Sequence, residues 1–200
     1  MTTPDVAEDS AWAAVNTPLS VEHLTKFCGD VERLFRINPM LDFTSFESLG
    51  NNRYAMCGQN ISQEPPFEFD VAFKVTKLND GLKIDYEDGI KSSTSIKIEP
   101  SEFGSKITLT DAYERLTVDQ REQRMGEVDK SLNTWANYLQ RFLIMWKRWR
   151  YIPPWRWYMH YVWQPMKPMG RRITYILLWV TVAEIALISL GVAIWFAEFR

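Results

Sequence analysis

Three hydrophobic patterns follow one another along this chain. Phe67, Phe69, Val71, Phe73 and Val75 alternate with Glu68, Asp70, Ala72, Lys74 and Thr76. A period of two predicts a strand with one buried face, because successive side chains leave a sheet on opposite sides. Further on the period lengthens. Met125, Val128, Leu132, Trp135, Leu139, Phe142, Trp146 and Trp149 recur at spacings of three and four, which puts one apolar stripe on a long helix. That helix is expected to start near Thr117, with Asp119 and Glu122 in its first turns, where carboxylates complement the helix dipole. A coiled coil competes with packing across a curved sheet, but four aromatic residues in the stripe favour the sheet. Finally the period vanishes. Ile173–Phe196 is a run of 24 residues with one ionisable group, Glu184. At about 1.5 Å per residue it reaches about 36 Å, enough for a hydrocarbon core of about 30 Å. A core helix rarely stays apolar on every face for that length, so a transmembrane helix is predicted over 173–197.

Shorter elements fill the N-terminal half. Residues 1–11 read as a mobile leader, and Trp12–Thr17 as a strand ending at Pro18. Ser20 can cap a helix through Val21–Asp30, and a second short helix ends before Asn38-Pro39. Gly50-Asn51-Asn52 is a hairpin turn between two strand-like runs. Asn79-Asp80-Gly81, Asp88-Gly89 and Phe103-Gly104 supply further turns, and Thr94–Ile98 and Ile107–Leu109 further strands. The reading is α+β, an antiparallel meander of about six or seven strands.

Charge is partitioned. The formal net charge is -2, yet residues 1–129 hold 13 Lys and Arg against 23 Asp and Glu. Residues 130–172 hold nine basic residues and no acidic one. The acidic body should avoid anionic surfaces and the basic segment should seek them. Arg171 and Arg172 border the apolar run, with Lys167, Arg156, Arg150, Arg148 and Lys147 behind them. The positive-inside rule then places the body in the cytoplasm and the C-terminus outside, in a single-pass membrane protein. The leading residues, MTTPDVAEDS, hold no apolar stretch of the signal-peptide kind. Cys28 and Cys57 are expected to be free thiols, which fits that compartment.

The element order resembles the helix-grip fold of the START-like superfamily, which includes birch-pollen-type allergens, polyketide cyclases and coenzyme Q chaperones. The resemblance rests on VNTP at 15–18, VEHL at 21–24, Gly29-Asp30, Asn38-Pro39, GLKIDYEDG at 81–89 and GSKITLTDAYE at 104–114. It covers about residues 12–145. It implies a bent sheet gripping the long helix around an elongated apolar cavity, and carries no invariant catalytic set. Phe69, Phe73, Tyr86, Trp135 and Leu139 are the candidate cavity residues. Such walls select an apolar ligand such as a lipid, quinone or isoprenoid, although the same residues would equally fill a packed core.

Candidate chemistry is sparse. His23 and His160 have no nucleophile partner visible in the sequence, and no phosphate-cradling loop or metal-ligand spacing occurs. No catalytic residue, metal or cofactor is assigned. Asp111 interrupts the apolar face Ile107, Leu109, Tyr113, and is expected at the exposed end of its strand rather than inside the cavity. Residues 146–172 form a basic, Trp-rich neck. Trp146–Trp163 alone contains five of the nine tryptophans, three tyrosines and four Lys or Arg. Trp146, Arg148, Trp149, Arg150, Trp155, Arg156, Trp157, Trp163, Arg171 and Arg172 are candidate membrane-interface residues, since amphipathic rings and cations favour the headgroup zone. Single-stranded nucleic acid could bind such a segment, but beside an apolar span the partner expected is membrane lipid, not nucleic acid. Docking onto a membrane protein is a third reading.

Within the span, Thr174, Thr181, Glu184 and Gly191 share one side, and Thr181, Glu184 and Gly191 are the candidate intramembrane contact. Ala183, Ala186, Ala193 and Ala197 lie nearly opposite. The expected function is binding or presenting a hydrophobic molecule at the membrane face, without catalysis. The alternatives are an accessory subunit of a larger membrane complex and, third, a cyclase-type enzyme.

Overall fold

The computed structural model describes residues 10–113 and 130–198. Its contacts divide the chain into two units, Met1–Pro165 and Met166–Arg200. In the first unit the order is β1 (Ser10–Thr17), α1 (Val21–Cys28), α2 (Val31–Arg36), β2 (Leu41–Gly50), β3 (Arg53–Asn60), β4 (Phe67–Leu78), β5 (Gly81–Tyr86), β6 (Ser93–Ser101), β7 (Gly104–Ala112) and α3 (Leu132–Trp149). A short helix α4 (Pro153–Tyr158) and a π-helical turn (Met159–Trp163) follow. The second unit is α5 (Pro168–Glu198).

One curved antiparallel sheet takes the order β1-β7-β6-β5-β4-β3-β2. Strands β2 to β7 are a plain meander, and β1 closes against β7 from Ser10↔Ala112 to Thr17↔Ser105. Asn51 and Asn52 both take positive φ, 51° and 58°, as a two-residue hairpin turn matched to strand twist requires. The β2–β3 register slips between Phe43 and Ser45, a bulge that bends the sheet. Opposite it Gly58 lets the strands close up, since a Cβ there would lie 2.2 Å from the Asp42 carbonyl oxygen.

Ser20 caps α1, its hydroxyl accepting from the His23 amide, and Asp30 caps α2 through the Arg33 amide at 3.1 Å. The concave face of the sheet, α1, α2 and α3 enclose one core. Leu24, Leu34, Ile84, Leu109, Leu139 and Leu143 are fully buried there. Trp135 keys α3 to α2. Its indole stacks on Phe35 at 5.4 Å and its Nε1–H donates to the Leu34 carbonyl at 3.0 Å, an oxygen at the end of a short helix.

Several expectations shift. The start of the long helix near Thr117, with Met125 and Val128, lies outside the described residues. Within them Leu132, Trp135, Leu139 and Phe142 form the buried stripe, and Trp146 is half-buried, but Trp149 is exposed because the helix has by then run past the core. Residues 10 and 11, expected in the leader, pair with β7. Asp111 is fully buried rather than at an exposed strand end, since β7 keeps its alternation through Ile107, Leu109 and Asp111. The compact unit also continues past the boundary expected at 145. Phe27, Phe142, Trp146, Trp155 and Trp163 form a chain of rings at 5.3–6.3 Å, which seats α4 and the π-turn on the core. Arg33 lies 5.1 Å from the Trp146 ring and donates to Gln164 at 3.3 Å.

Helix α5 starts at Pro168, five residues before the expected span, as suits a proline at the first helical position. It is 31 residues long, with a mean hydropathy of 2.2 in its most apolar window and no residue buried. This is one helix long and apolar enough to cross a membrane.

Candidate functional site

The first unit contains an open cavity of about 280 Å³ between the sheet and its helices. Phe35 and Asn38 reach it from α2 and the turn after it. Met56 and Asn60 come from β3, Phe67, Phe69 and Val71 from β4, Tyr86 from β5, and Trp135 from α3. Ile90 and Lys91, from the loop between β5 and β6, complete one wall. Glu68, Asp70 and Asp88 also line it. The cavity's volume is just under the roughly 300–1,000 Å³ of ordinary small-molecule sites.

Three of the five candidate cavity residues, Phe69, Tyr86 and Trp135, line this space. The other two are packed core. Phe73 is fully buried, with rings of Phe35, Tyr54, Tyr86 and Phe46 at 5.5–6.1 Å around it. Leu139 is fully buried among core side chains. Phe35, Asn38 and Lys91 lie outside the candidate set. Phe35 was detectable as an apolar position of a short helix, whereas nothing around Lys91 singled it out.

Polar groups are concentrated at the Tyr86–Lys91 end. The Lys91 ammonium lies 2.7 Å from Asp111 Oδ2, and the Thr94 hydroxyl donates to Asp111 Oδ1 at 2.5 Å. Tyr86 Oη is 3.1 Å from Thr94 Oγ1. A carboxylate only accepts, so the single Thr94 proton is committed to Asp111, and Tyr86 is therefore the donor to Thr94. Pairing brings Asp111 and Thr94 face to face on β7 and β6, and Tyr86 ends β5 beside them. Asn38 is tied down, donating to Ser131 at 2.7 Å and accepting from the Met40 amide at 3.0 Å.

The two histidines do find partners. His23 Nδ1 lies 2.7 Å from Ser20 Oγ, but this is the exposed cap of α1. His160 Nδ1 lies 3.5 Å from an Arg33 nitrogen. Among the described residues, no group of three His, Cys, Asp or Glu side chains is placed to hold a metal ion. Cys28 is buried, which pushes its thiol up to about 12.

A seven-stranded antiparallel sheet curved around a long C-terminal helix, with two short helices after the first strand and a cavity between, leaves one architecture. The chain has the helix-grip fold. TTHA0849 of Thermus thermophilus is similar to it, at 13% identity and a TM-score of 0.51 over 68% of this chain and 97% of that one. DR_A0006 of Deinococcus radiodurans gives 16% identity, a TM-score of 0.49, and coverage of 68% and 98%. A START superfamily protein of Mycobacterium smegmatis gives 13% identity, a TM-score of 0.49, and coverage of 68% and 97%. No family model matches the sequence, and no curated protein does so either.

Around this helix-grip core the candidate interface residues divide. Trp146, Trp155 and Trp163 are half-buried against the core, whereas Trp149 and Trp157 are exposed, beside Tyr151 and Tyr161. Arg148 and Arg156 are exposed and Arg150 is half-buried, its guanidinium donating to the Tyr151 hydroxyl at 2.7 Å. In α5, Arg171 is half-buried and Arg172 exposed, and Thr181, Glu184 and Gly191 are all exposed.

Proposed function

We propose that this chain is a membrane-tethered helix-grip protein that binds and presents a hydrophobic molecule at the cytoplasmic membrane face. The observation that carries the reading is the cavity of about 280 Å³, walled by Phe35, Phe69, Val71 and Trp135, on a chain that also carries a 31-residue apolar helix. Concave apolar walls with a few convergent polar groups are the usual form of a small-molecule site. Its volume admits the ring or head of a quinone or isoprenoid and leaves a long tail outside. A tether holds the domain at the bilayer, where such molecules dissolve, and so raises the effective concentration of each for the other. Exposed Trp149, Trp157 and Tyr151 beside Arg148 and Arg156 suit the headgroup zone, each cation contributing about 1 kcal/mol near an anionic leaflet.

The reading is one of binding rather than catalysis. Its support is that the Ser20–His23 contact sits on an exposed helix cap, outside the cavity. Native mass spectrometry of the detergent-purified chain tests it, with a co-purifying lipid or quinone as the expected result. An empty domain that no lipid or quinone stabilises would overturn it. For the topology, a reporter active only beyond the membrane should work when fused at Arg200 and stay silent at the N-terminus.

An accessory subunit of a membrane complex is the second reading, and Glu184 favours it. A charged carboxylate at mid-span costs roughly 2.5–3.5 kcal/mol on insertion scales, and such residues usually face protein. A carrier should purify alone with its ligand, whereas a subunit should purify with stoichiometric partners.

A further inference from the structure

A second concavity lies where the start of α1, the β6–β7 turn and the end of α3 meet, and it shares no lining residue with the cavity. This open groove of about 590 Å³ is walled by Ser20, His23, Ser101, Phe103, Lys147 and Arg150, with Pro18, Leu19, Val21 and Gly104 between them. Its described walls include no carboxylate; Glu22 and Glu102, beside them in sequence, are not among the lining residues. The basic side chains have neutral partners. Lys147 donates to the Pro18 carbonyl at 2.8 Å, Arg150 to the Tyr151 hydroxyl at 2.7 Å, and His23 Nδ1 lies 2.7 Å from Ser20 Oγ. By contrast Arg33, Arg36, Arg53, Lys83 and Lys97 each face a carboxylate. An ammonium has three donors and a guanidinium five, so Lys147 and Arg150 keep charge and donors that the protein does not use. Arg150 Nε is itself enclosed without an acceptor among the described residues.

Two rings stand at the same place. Phe103, 84% exposed, and Tyr151, 76% exposed, are the most exposed large apolar side chains described in the first unit. Phe103 walls the groove, and the Tyr151 ring lies 4.9 Å from the Arg150 guanidinium carbon. From this we infer that the groove is a docking site for an anionic bilayer surface, seating a lipid headgroup phosphate between Lys147 and Arg150 with Phe103 and Tyr151 among the headgroups. A soluble phosphate would serve the cations but leave both rings in water, whereas a bilayer surface serves both. The start of α1 adds a dipole that favours an anion. Acidic groups outnumber basic ones over residues 1–129, so an anionic leaflet repels most of the body and draws this groove toward it. The inference rests on the chain working at a membrane, and is independent of what the cavity holds.

The test follows amide hydrogen exchange by mass spectrometry in the full chain, embedded in nanodiscs of phosphatidylcholine alone or with one third phosphatidylglycerol. The expected result is that amides of 20–22 and 101–104 exchange about tenfold more slowly in the anionic discs, the scale of two cations at an anionic leaflet. Lys147→Ala with Arg150→Ala should abolish that difference, and Phe103→Ser should reduce it. Lys74→Ala with Lys130→Ala removes the same charge from exposed positions outside the groove and should preserve it. Comparing the two lipid mixtures in the unmodified chain needs no variant to fold. Equal exchange in both discs, or an equal loss of protection in both double variants, would overturn the inference. So would glycerol 3-phosphate protecting these amides in phosphatidylcholine discs as strongly as phosphatidylglycerol does, since the groove would then serve a soluble phosphate. A chain that does not enter nanodiscs would remove the membrane reading, and the inference with it.

Discussion

Removing Asp111 tests whether its buried carboxylate is a structural keystone of the cavity wall. The residue is fully inaccessible, with Lys91 at 2.7 Å and Thr94 at 2.5 Å, and the Lys91 side chain is 17% exposed. Asp111→Leu removes the carboxylate that faces the Lys91 ammonium and accepts from the Thr94 hydroxyl. Stripping one partner from a buried pair costs about 3–5 kcal/mol, and a lost hydrogen bond about 1 kcal/mol more. Residual solvent access at Lys91 and the apolar gain of leucine offset part of this. A net loss of about 2–3 kcal/mol is expected. For a unit of this size that lowers the melting midpoint by roughly 5–10 °C, read by urea or thermal unfolding on tryptophan fluorescence. Lys91→Met with Asp111→Leu should recover most of the loss, because an apolar pair of similar volume replaces the ion pair. The double-mutant cycle then gives a coupling of about 2 kcal/mol. A single Asp111→Leu variant within about 0.5 kcal/mol of the parent, or strictly additive effects, would show that the pair is not the support described.

Burial raises the Cys28 thiol from 9.0 to about 12, so its neutral form is favoured in the folded chain. Its contribution is fully present below pH 9 and is lost as pH rises toward 12, at about 1.4 kcal/mol per unit, so Cys28→Ala should flatten the alkaline slope of urea midpoints. Cys57, half-buried, should take a thiol reagent in the folded protein while Cys28 stays unlabelled, and equal labelling rates would contradict the packing. Gly58→Ala forces a Cβ to within 2.2 Å of the Asp42 carbonyl oxygen, so β2 must shift, at an expected cost of about 1–3 kcal/mol in unfolding free energy. In the span, Glu184→Leu should weaken co-purification of a membrane partner without impairing insertion. Ala186→Leu should do so only if the alanine side is engaged too. Unchanged recovery with both variants would reduce α5 to an anchor.

The fold was legible because local signals and topology agree. The alternation at Phe67–Val75, the Asn51-Asn52 turn and the Ser20 cap each appear where the sequence puts them. Boundaries were less legible. Trp146, Trp155 and Trp163 read as interfacial because a ring suited to headgroups is equally suited to a core, and sequence spacing across Pro153-Pro154 does not reveal that the chain turns back. The deciding contacts, Arg33 to Trp146 and to Gln164, span more than 100 residues and leave no trace in any local period.

The site was half legible, for a different reason. A period of two names the inward face of a strand, but not which inward residues meet a partner and which face space. Phe69 and Phe73 share a face of β4, yet Phe69 lines the cavity, while Phe73, farther along the strand, is enclosed by the rings of Phe35, Tyr54 and Tyr86. Asp111 posed the same difficulty in reverse. A carboxylate on an apolar face is ordinarily explained by exposure, since burying it alone is prohibitive. What makes its burial tolerable is Lys91, which follows a turn, lies 20 positions away, and carries no pattern of its own. The polar end of the cavity is thus a product of pairing among β5, β6 and β7.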